Sequence, residues 1–198
     1  MVGNDIVDLD LADKDAYKRE RFLNKVLLPS EQKLVWDSED PGTFLWVLWS
    51  MKESAYKLHF RKYLTRALNP IGFTCFFDGD YELGPQGRFS GRVEVGDEVY
   101  QTNTILCKDY VHTTAIDGSE DIRIQSEEVS VGSANKVREK TIDALVRSIG
   151  ATSDLRSDKI EFSKDTNGLP FLTDACKGIF KPCSISHHGR FGAYAVAI

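Results

Sequence analysis

The chain has 198 residues, of which 41% are apolar and 28% charged, a composition typical of a soluble globular protein. Its net charge of −5 argues against a nucleic-acid partner, because contacts to a phosphate backbone need a basic surface. The longest unbroken apolar run, FLWVLW, is far too short to span a bilayer. The first residues contain no apolar signal-peptide core and the cysteines form no CxxC pair, so we expect a cytoplasmic protein with reduced thiols.

The N-terminal stretch from Val2 to Leu11 has the pattern of a β-strand. On such a strand Asp5 falls on the same side as the apolar Val7, whereas Asp8 and Asp10 fall on the opposite side. Asp5 is therefore the acid that we expect to point inward. The other two suit the alternative role of capping the segment that follows.

Helical patterns follow in three segments. The charged stretch 12–25 and the segment Leu28–Trp36 predict short helices, with Ser30 as the N-cap of the second. Further along, the segment Phe44–Tyr63 contains no glycine or proline and predicts one long helix capped by Thr43.

The long helix is predicted to be apolar on two sides. One stripe, at three- and four-residue steps, contains Phe44, Val47, Leu48, Met51, Ala55 and Leu58. The second stripe contains Trp46, Trp49, Glu53, Lys57 and Phe60. Glu53 and Lys57 could form an ordinary solvated pair worth about 0.2–0.5 kcal/mol. Their aromatic neighbours favour a carboxylate that is held for a cation, and a metal ion in particular.

The chain after this helix is predicted to be mainly strands. Alternating residues between Ile71 and Ile116 predict a four-stranded β-meander. Residues 118–132 are polar and predict a linker.

A second helix and a closing set of strands complete the predicted elements. Residues 134–149 predict a helix with Ser133 as its cap and Gly150 as its end. Residues 159–172 predict a strand, a turn and an extended piece. The sequence SISH at 184–187 then leads through a Gly-Arg turn into a last apolar strand, which resembles the end of the meander.

Acidic and basic side chains on separate elements suggest a chemistry. Asp5 on the strand and Glu53 on the helix can share a Mg²⁺ ion, which prefers hard oxygen ligands and keeps several waters. Lys57, one turn from Glu53, can neutralise charge on a leaving phosphate, and the Ser, His and Arg side chains of 184–190 can bind another phosphate. The combination indicates phosphoryl-type transfer from a pyrophosphate-containing donor. A metal-dependent nuclease is a less favoured alternative because the chain is acidic.

Three segments also carry a family resemblance. GNDIVDL at the N-terminus, WSMKESAYK in the long helix and SISH before the last strand resemble the 4′-phosphopantetheinyl transferase superfamily. The pattern WSxKESxxK is the most specific of the three. Asn167–Pro170 resembles the superfamily's Gly-Lys-Pro element, but Leu169 stands where the lysine is usual. The resemblance implies an α+β fold of two similar halves related by a pseudo-twofold axis.

The resemblance implies a Mg²⁺-dependent enzyme with coenzyme A as its substrate. It would transfer the 4′-phosphopantetheine arm to a serine of an acyl or peptidyl carrier protein of fatty acid or polyketide biosynthesis, and release adenosine 3′,5′-bisphosphate. A member that binds coenzyme A or a carrier protein without catalysis is the alternative.

The resemblance also assigns residues. Asp5 and Glu53 match the Mg²⁺ ligands, and Glu53 would act, directly or through water, as base on the carrier serine. The third ligand would be water or Asp8, because Val7 stands where long-form members often have an acid. Lys57 matches the lysine near the pyrophosphate.

The donor-binding residues come from the C-terminal part. Ser186 and His187 match the pair that contacts a coenzyme A phosphate. Arg138 resembles the arginine that binds the nucleotide end.

The order of the segments predicts two halves in permuted order. Long-form (Sfp-type) members usually have the SxSH half first, whereas here it comes second. We therefore expect halves 1–117 and 133–198 joined by the linker 118–132, with one active site between them in a monomer. The alternative is a short-form chain, of the holo-acyl-carrier-protein synthase type, with a large β insertion.

Two further sets of cations have open interpretations. Lys52 is either structural or a phosphate contact. Arg61, Lys62 and Arg66 form a basic patch that is either a solvated helix end or a landing site for an acidic carrier protein.

Overall fold

The computed structural model describes residues 1–79, 87–117, 124–130, 136–152, 159–174 and 178–197. Their architecture is α+β, with four α-helices and two five-stranded antiparallel sheets. The helices are α1 (Glu20–Val26), α2 (Pro29–Asp37), α3 (Pro41–Tyr63) and α4 (Val137–Thr152). The strands are β1 (Val2–Asp8), β2 (Thr74–Phe77), β3 (Gly87–Val95), β4 (Glu98–Leu106), β5 (Tyr110–Asp117), β6 (Ile124–Ser130), β7 (Ile160–Lys164), β8 (Pro170–Asp174), β9 (Ile179–His188) and β10 (Phe191–Ala197).

The two sheets have the same topology. The first has the order β1-β5-β4-β3-β2 and the second the order β6-β10-β9-β8-β7. In each, the first strand leads through a long helix into a four-stranded meander, whose last strand returns to pair with the first. The meander therefore belongs to a unit that occurs twice. This repetition supports two similar halves and argues against an insertion in one of them.

The predicted linker was wrong, because it contains β6. All seven residues of this strand pair with β10, so the second half begins before residue 133. Within the described residues β6 is an edge strand of its sheet, with β10 as its hydrogen-bonded neighbour. An edge strand tolerates charged and polar residues, and its sequence therefore resembles a linker.

The core of the first half forms around α3. The six residues of the predicted apolar stripe are each at most 1% exposed, which confirms that prediction. The second stripe is half-buried. α3 packs on one face of the first sheet, against core residues that include Val7, Val93, Tyr100, Val111 and Ala115.

Several helix ends differ from the predictions. α3 begins at Pro41, because the Asp40 carboxylate rather than Thr43 accepts the cap hydrogen bond, from the Thr43 N–H at 3.0 Å. Leu28 rather than Ser30 precedes α2, since Glu31 accepts a hydrogen bond from the Leu28 N–H at 2.8 Å. These ends depend on which side chain reaches the unpaired N–H groups.

Two other boundary predictions have different outcomes. α4 continues past Gly150 to Thr152, whereas the predicted cap Ser133 lies outside the described residues. The stretch 12–25 forms a short 3-10 turn and then α1, not one helix.

β1 joins the two halves because it is buried on both faces. Val7 lies in the core under α3, whereas Ile6, on the opposite face, packs against Phe191 and Ala193 of β10. A strand in this position can present side chains to both halves, since successive residues point in opposite directions.

No described helix is long and apolar enough to cross a membrane. Among the described cysteines, Cys75 and Cys183 are free and buried, and Cys107 is free and only partly buried.

Candidate active site

The residues of WSxKESxxK dock α3 tightly onto the first sheet. Ser50 Oγ donates a hydrogen bond to the Asp5 carbonyl at 3.3 Å, and Ser54 Oγ donates to the Thr113 carbonyl at 2.9 Å. Gly3 permits this approach, because a Cβ there would lie 2.1 Å from the Ser54 carbonyl oxygen. The small residues thus set α3 close to β1.

Lys52 has a structural role in this docking. Its ammonium is completely buried and donates to Glu31 Oε2 at 2.6 Å and to the carbonyls of Val26 and Pro70. All three of its N–H donors are thus satisfied within the protein. This resolves the open interpretation: Lys52 ties α3 to α2 and is not available to a phosphate.

Asp5, Glu53 and Lys57 form a half-buried ionic cluster between β1 and α3. Lys57 Nζ donates to Asp5 Oδ1 at 3.0 Å and to the Asn4 carbonyl at 2.8 Å. Burial raises the pKa of Glu53, and the negative charge of Asp5 raises it further while Lys57 opposes the shift. The structure therefore brings together the three predicted residues of the first half.

The Asp5–Glu53 pair has the chemistry of a divalent-cation site. Two hard carboxylates interact unfavourably in a half-buried place, so a positive ion between them would relieve their repulsion. Among the described residues, no group of three or more His, Cys, Asp or Glu side chains is placed to hold a metal. A Mg²⁺ ion here would need water and donor oxygens to complete its shell, as Mg²⁺ commonly does.

Asp8 does not share this site. Its carboxylate is fully buried on the opposite face of β1 and accepts three hydrogen bonds from Arg190, from N at 3.0 Å, Nε at 2.9 Å and Nη2 at 2.7 Å. Burial alone would raise its pKa, but the hydrogen bonds from Arg190 outweigh burial and hold the pKa of Asp8 at about 2. Of the two possibilities for the third ligand, these contacts favour water.

The same contacts correct the expectation that Arg190 binds phosphate. Arg190 also forms an ion pair with Asp10 at 2.8 Å, so its ion-pair partners among the described residues are both carboxylates of the first half. Gly189, with φ of +54°, makes the turn, and a Cβ there would lie 2.4 Å from Asp8 Oδ2. The Gly-Arg turn therefore connects the second half to the first through Arg190.

Ser186 and His187 lie on opposite faces of β9. Ser186 Oγ accepts a hydrogen bond from Asn4 Nδ2 at 2.9 Å, and Ser184 Oγ accepts one from the Asn4 N–H at 2.9 Å. Both serines are buried against β1. Ser186 therefore contacts the first half, and the structure does not place its side chain beside that of His187.

His187 lies near several positively charged side chains. Burial lowers the pKa of His187, and the charges of Arg138, Lys57 and Lys164 lower it further. Arg138 is exposed near the start of α4, with its guanidinium 5.9 Å from the centre of the Phe162 ring. The predicted residues His187 and Arg138 thus lie in one electrostatic environment with Lys57.

A cavity of about 180 Å³ lies between the halves next to this group. Its lining includes Lys57 and Arg61 from α3, and Lys164, Leu169 and Pro170 from the β7–β8 hairpin. Lys164 is a residue that the sequence motifs do not indicate. A hairpin turn at 166–168, which the sequence does predict, would have brought it opposite Pro170.

The basic patch contains fewer free cations than we expected. Arg61 Nη2 donates to the carbonyls of Pro170 at 2.9 Å and Cys183 at 2.7 Å, and burial lowers the pKa of Arg61. Lys62 bonds Glu98 at 2.6 Å. Arg61 thus ties α3 to the second half, whereas Arg66 is exposed and forms no ion pair with a described residue.

Comparison with known families supports the interpretation of the first half. The family model of the 4′-phosphopantetheinyl transferase superfamily matches residues 1–115 of the 198. The match covers more than half of the chain, which therefore belongs to this superfamily and is a transferase of the phosphopantetheinyl type. No curated protein and no solved structure matches the chain.

Proposed function

We propose that the protein transfers the 4′-phosphopantetheine arm of coenzyme A to a serine of an acyl or peptidyl carrier protein, with Mg²⁺, and releases adenosine 3′,5′-bisphosphate. The observation that carries this proposal is the cluster of Asp5, Glu53 and Lys57 beside a basic cavity between the halves. Carboxylates for a metal and cations for donor phosphates are both required by transfer from a pyrophosphate.

The proposed reaction is a displacement at phosphorus. The carrier serine oxygen attacks the pyrophosphate phosphorus next to the pantetheine arm, and the bond to the bridging oxygen breaks. Glu53, directly or through a water, takes the serine proton, and burial suits it to this role because a raised pKa makes a carboxylate a better base. Lys57 neutralises charge on the leaving phosphate.

Asp5 and Glu53 are the residues that would hold Mg²⁺. When bound, this ion would neutralise charge on the pyrophosphate. His187 and Arg138 would hold donor phosphates in the second half. Ser186 is the other residue that the sequence predicted to contact coenzyme A. It would act by positioning Asn4, whose carbonyl accepts a hydrogen bond from Lys57.

The arrangement of the chain is part of the proposal. We infer that the halves stand in permuted order relative to long-form members, and that the protein is a cytoplasmic monomer whose one chain supplies both sides of the site. Sedimentation during a coenzyme A titration tests this. One bound coenzyme A per monomer is expected, and a trimer with sites between chains would contradict it.

The activity itself has a direct test. The protein is incubated with coenzyme A, Mg²⁺ and an apo carrier protein, and the carrier is weighed by mass spectrometry. The proposal expects the added mass of one phosphopantetheine on a serine, and no addition when a chelator removes Mg²⁺. Binding of coenzyme A without transfer to any carrier would instead indicate the non-catalytic alternative.

A further inference from the structure

Three basic side chains line the cavity between the halves, and two of them have partners. Arg61 is bound to two carbonyls of the second half, and Lys57 is bound to Asp5 and to the Asn4 carbonyl. Lys164 differs, because it is exposed and forms no ion pair with any carboxylate in the described part of the chain. An ammonium beside a cavity without a counter-charge is available to an anionic ligand.

The backbone under Lys164 is held in place by the β7–β8 turn. Asp165 Oδ1 accepts hydrogen bonds from the N–H groups of Asn167 and Leu169, both at 2.8 Å. The Asp165 N–H in turn donates to the Leu169 carbonyl at 3.0 Å. The neighbouring carboxylate therefore binds the turn rather than the ammonium, and Lys164 extends from a fixed strand end.

Leu169 lines the same cavity without a charge. It is 8% exposed and occupies the middle of the Gly-Leu-Pro segment, where the resembling element has a lysine. Lys164 pairs with Pro170, the next residue, across the hairpin. The hairpin thus provides a cation from its first strand at the place where its second strand has none.

We propose that Lys164 binds a phosphate of the coenzyme A donor and supplies the positive charge that Leu169 lacks. This inference rests on the proposed function, because it takes coenzyme A to be the donor. Lys164 also lowers the pKa of His187 together with Arg138 and Lys57, so these cations act on the same region. Each side chain could form a charge-assisted hydrogen bond to phosphate oxygens.

Calorimetric titration of coenzyme A into the Mg²⁺-supplemented protein tests the role of Lys164. We expect Lys164→Gln to weaken binding about 10-fold and Lys164→Arg to keep most of the affinity. Lys159→Gln is the matched control, because Lys159 is an exposed lysine just before the opposite end of the same strand. The affinity of this control variant for coenzyme A should equal that of the wild-type protein. The loss for Lys164→Gln should shrink as salt rises, since the contact is ionic.

The double variant Lys164→Gln, Leu169→Lys places the cation on the other strand and is expected to recover affinity. Titration with 3′-dephospho-coenzyme A shows which phosphate is bound: an undiminished effect of Lys164→Gln indicates the pyrophosphate, and loss of the effect indicates the 3′-phosphate. If the wild-type protein and the Lys164→Gln variant bind coenzyme A equally well, the inference is overturned and the proposed function stays intact. Wild-type protein that binds no coenzyme A would overturn the proposed function itself.

Discussion

The two halves of the molecule share a topology and differ in chemistry. In both, a seven-residue first strand precedes a long helix and a four-stranded meander, and in the first half α1 and α2 lie between the strand and that helix. The helix has 23 residues in the first half and 16 in the second. The first half contains the cluster of Asp5, Glu53 and Lys57, whereas the second contains Arg138 and His187. Both carboxylates that we propose as metal ligands therefore lie in the first half.

The fourth residue of each first strand shows the difference most clearly. In β1 it is Asp5, which lies beside Glu53 and accepts a hydrogen bond from Lys57. In β6 it is Glu127, which accepts a hydrogen bond from the Tyr194 hydroxyl at 2.7 Å. The same strand position thus holds an acid that pairs with Lys57 beside Glu53 in one half and an acid that pairs with a tyrosine hydroxyl in the other.

The largest expected effect follows from this pair of positions. We predict that Asp5→Ala and Glu53→Gln each lower the transfer rate by at least about 100-fold, because each removes a metal-binding or proton-accepting carboxylate. Circular dichroism should show a retained fold. Glu127→Gln, the equivalent change in the second half, should leave the rate within about twofold. Full transfer by the Glu53→Gln protein would show that Glu53 is neither the proton acceptor nor a required metal ligand.

The contact between Asp8 and Arg190 predicts a pH-dependent stability. The pKa of Asp8 is about 2 in the folded protein and about 3.9 in an unfolded chain, so the contribution is present above about pH 4 and lost as the pH falls toward 2. We expect Asp8→Asn to lower the free energy of unfolding by about 2 kcal/mol at pH 7 and far less near pH 2. Urea denaturation at both values measures this.

Asp10→Asn is the control for that measurement. Asp10 also binds Arg190, at 2.8 Å, but its side chain is 58% exposed. The change should therefore alter the free energy of unfolding by less than about 1 kcal/mol at pH 7. Equal effects of the two substitutions would mean that burial of Asp8 does not govern how the halves are joined.

The predicted residues of the second half should affect coenzyme A binding more than the chemical step. We predict that His187→Ala and Arg138→Ala each weaken coenzyme A binding about 10-fold and change the rate at saturating donor much less. Calorimetry and initial rates separate the two quantities. Arg147→Ala, an exposed arginine further along α4, should have no effect. Unchanged affinity in both variants would move the donor site out of the second half.

The smallest effect is expected at the remaining exposed cation of the basic patch. Arg66→Glu should raise the apparent KM for an acidic carrier a few-fold, and the effect should fall with salt because rim charges mainly steer encounter. A salt-independent KM effect for Arg66→Glu would mean that Arg66 is an ordinary solvated residue near the helix end and does not steer the carrier protein.

Arg61→Gln should lower the free energy of unfolding by about 1.5–3 kcal/mol, since it removes charge-assisted bonds between the halves.

Local patterns in the sequence predicted much of the first half correctly. The apolar stripe of α3 and the meander follow from side-chain periodicity and turns. The same periodicity placed Asp5 on the face toward α3, but it missed Asp8, which is buried more completely on the opposite face. The proximity of Asp5, Glu53 and Lys57 was predicted by considering the N-terminal strand segment and the long-helix segment in combination. β6 could not be recognised this way, because an edge strand rich in Glu and Ser has the composition of a linker.

The sequence by itself determined the helix that carries Glu53 and Lys57, the strand that carries Asp5 and the family to which they point. Only the tertiary structure decided the partners of side chains that could serve either purpose. Lys52 and Arg61 are as cationic as Lys164, yet the first two are bound to Glu31 and to backbone carbonyls, and Lys164 has no such partner among the described residues. A charge becomes structural or available according to the groups around it, and those groups come from distant parts of the chain, which no local pattern records.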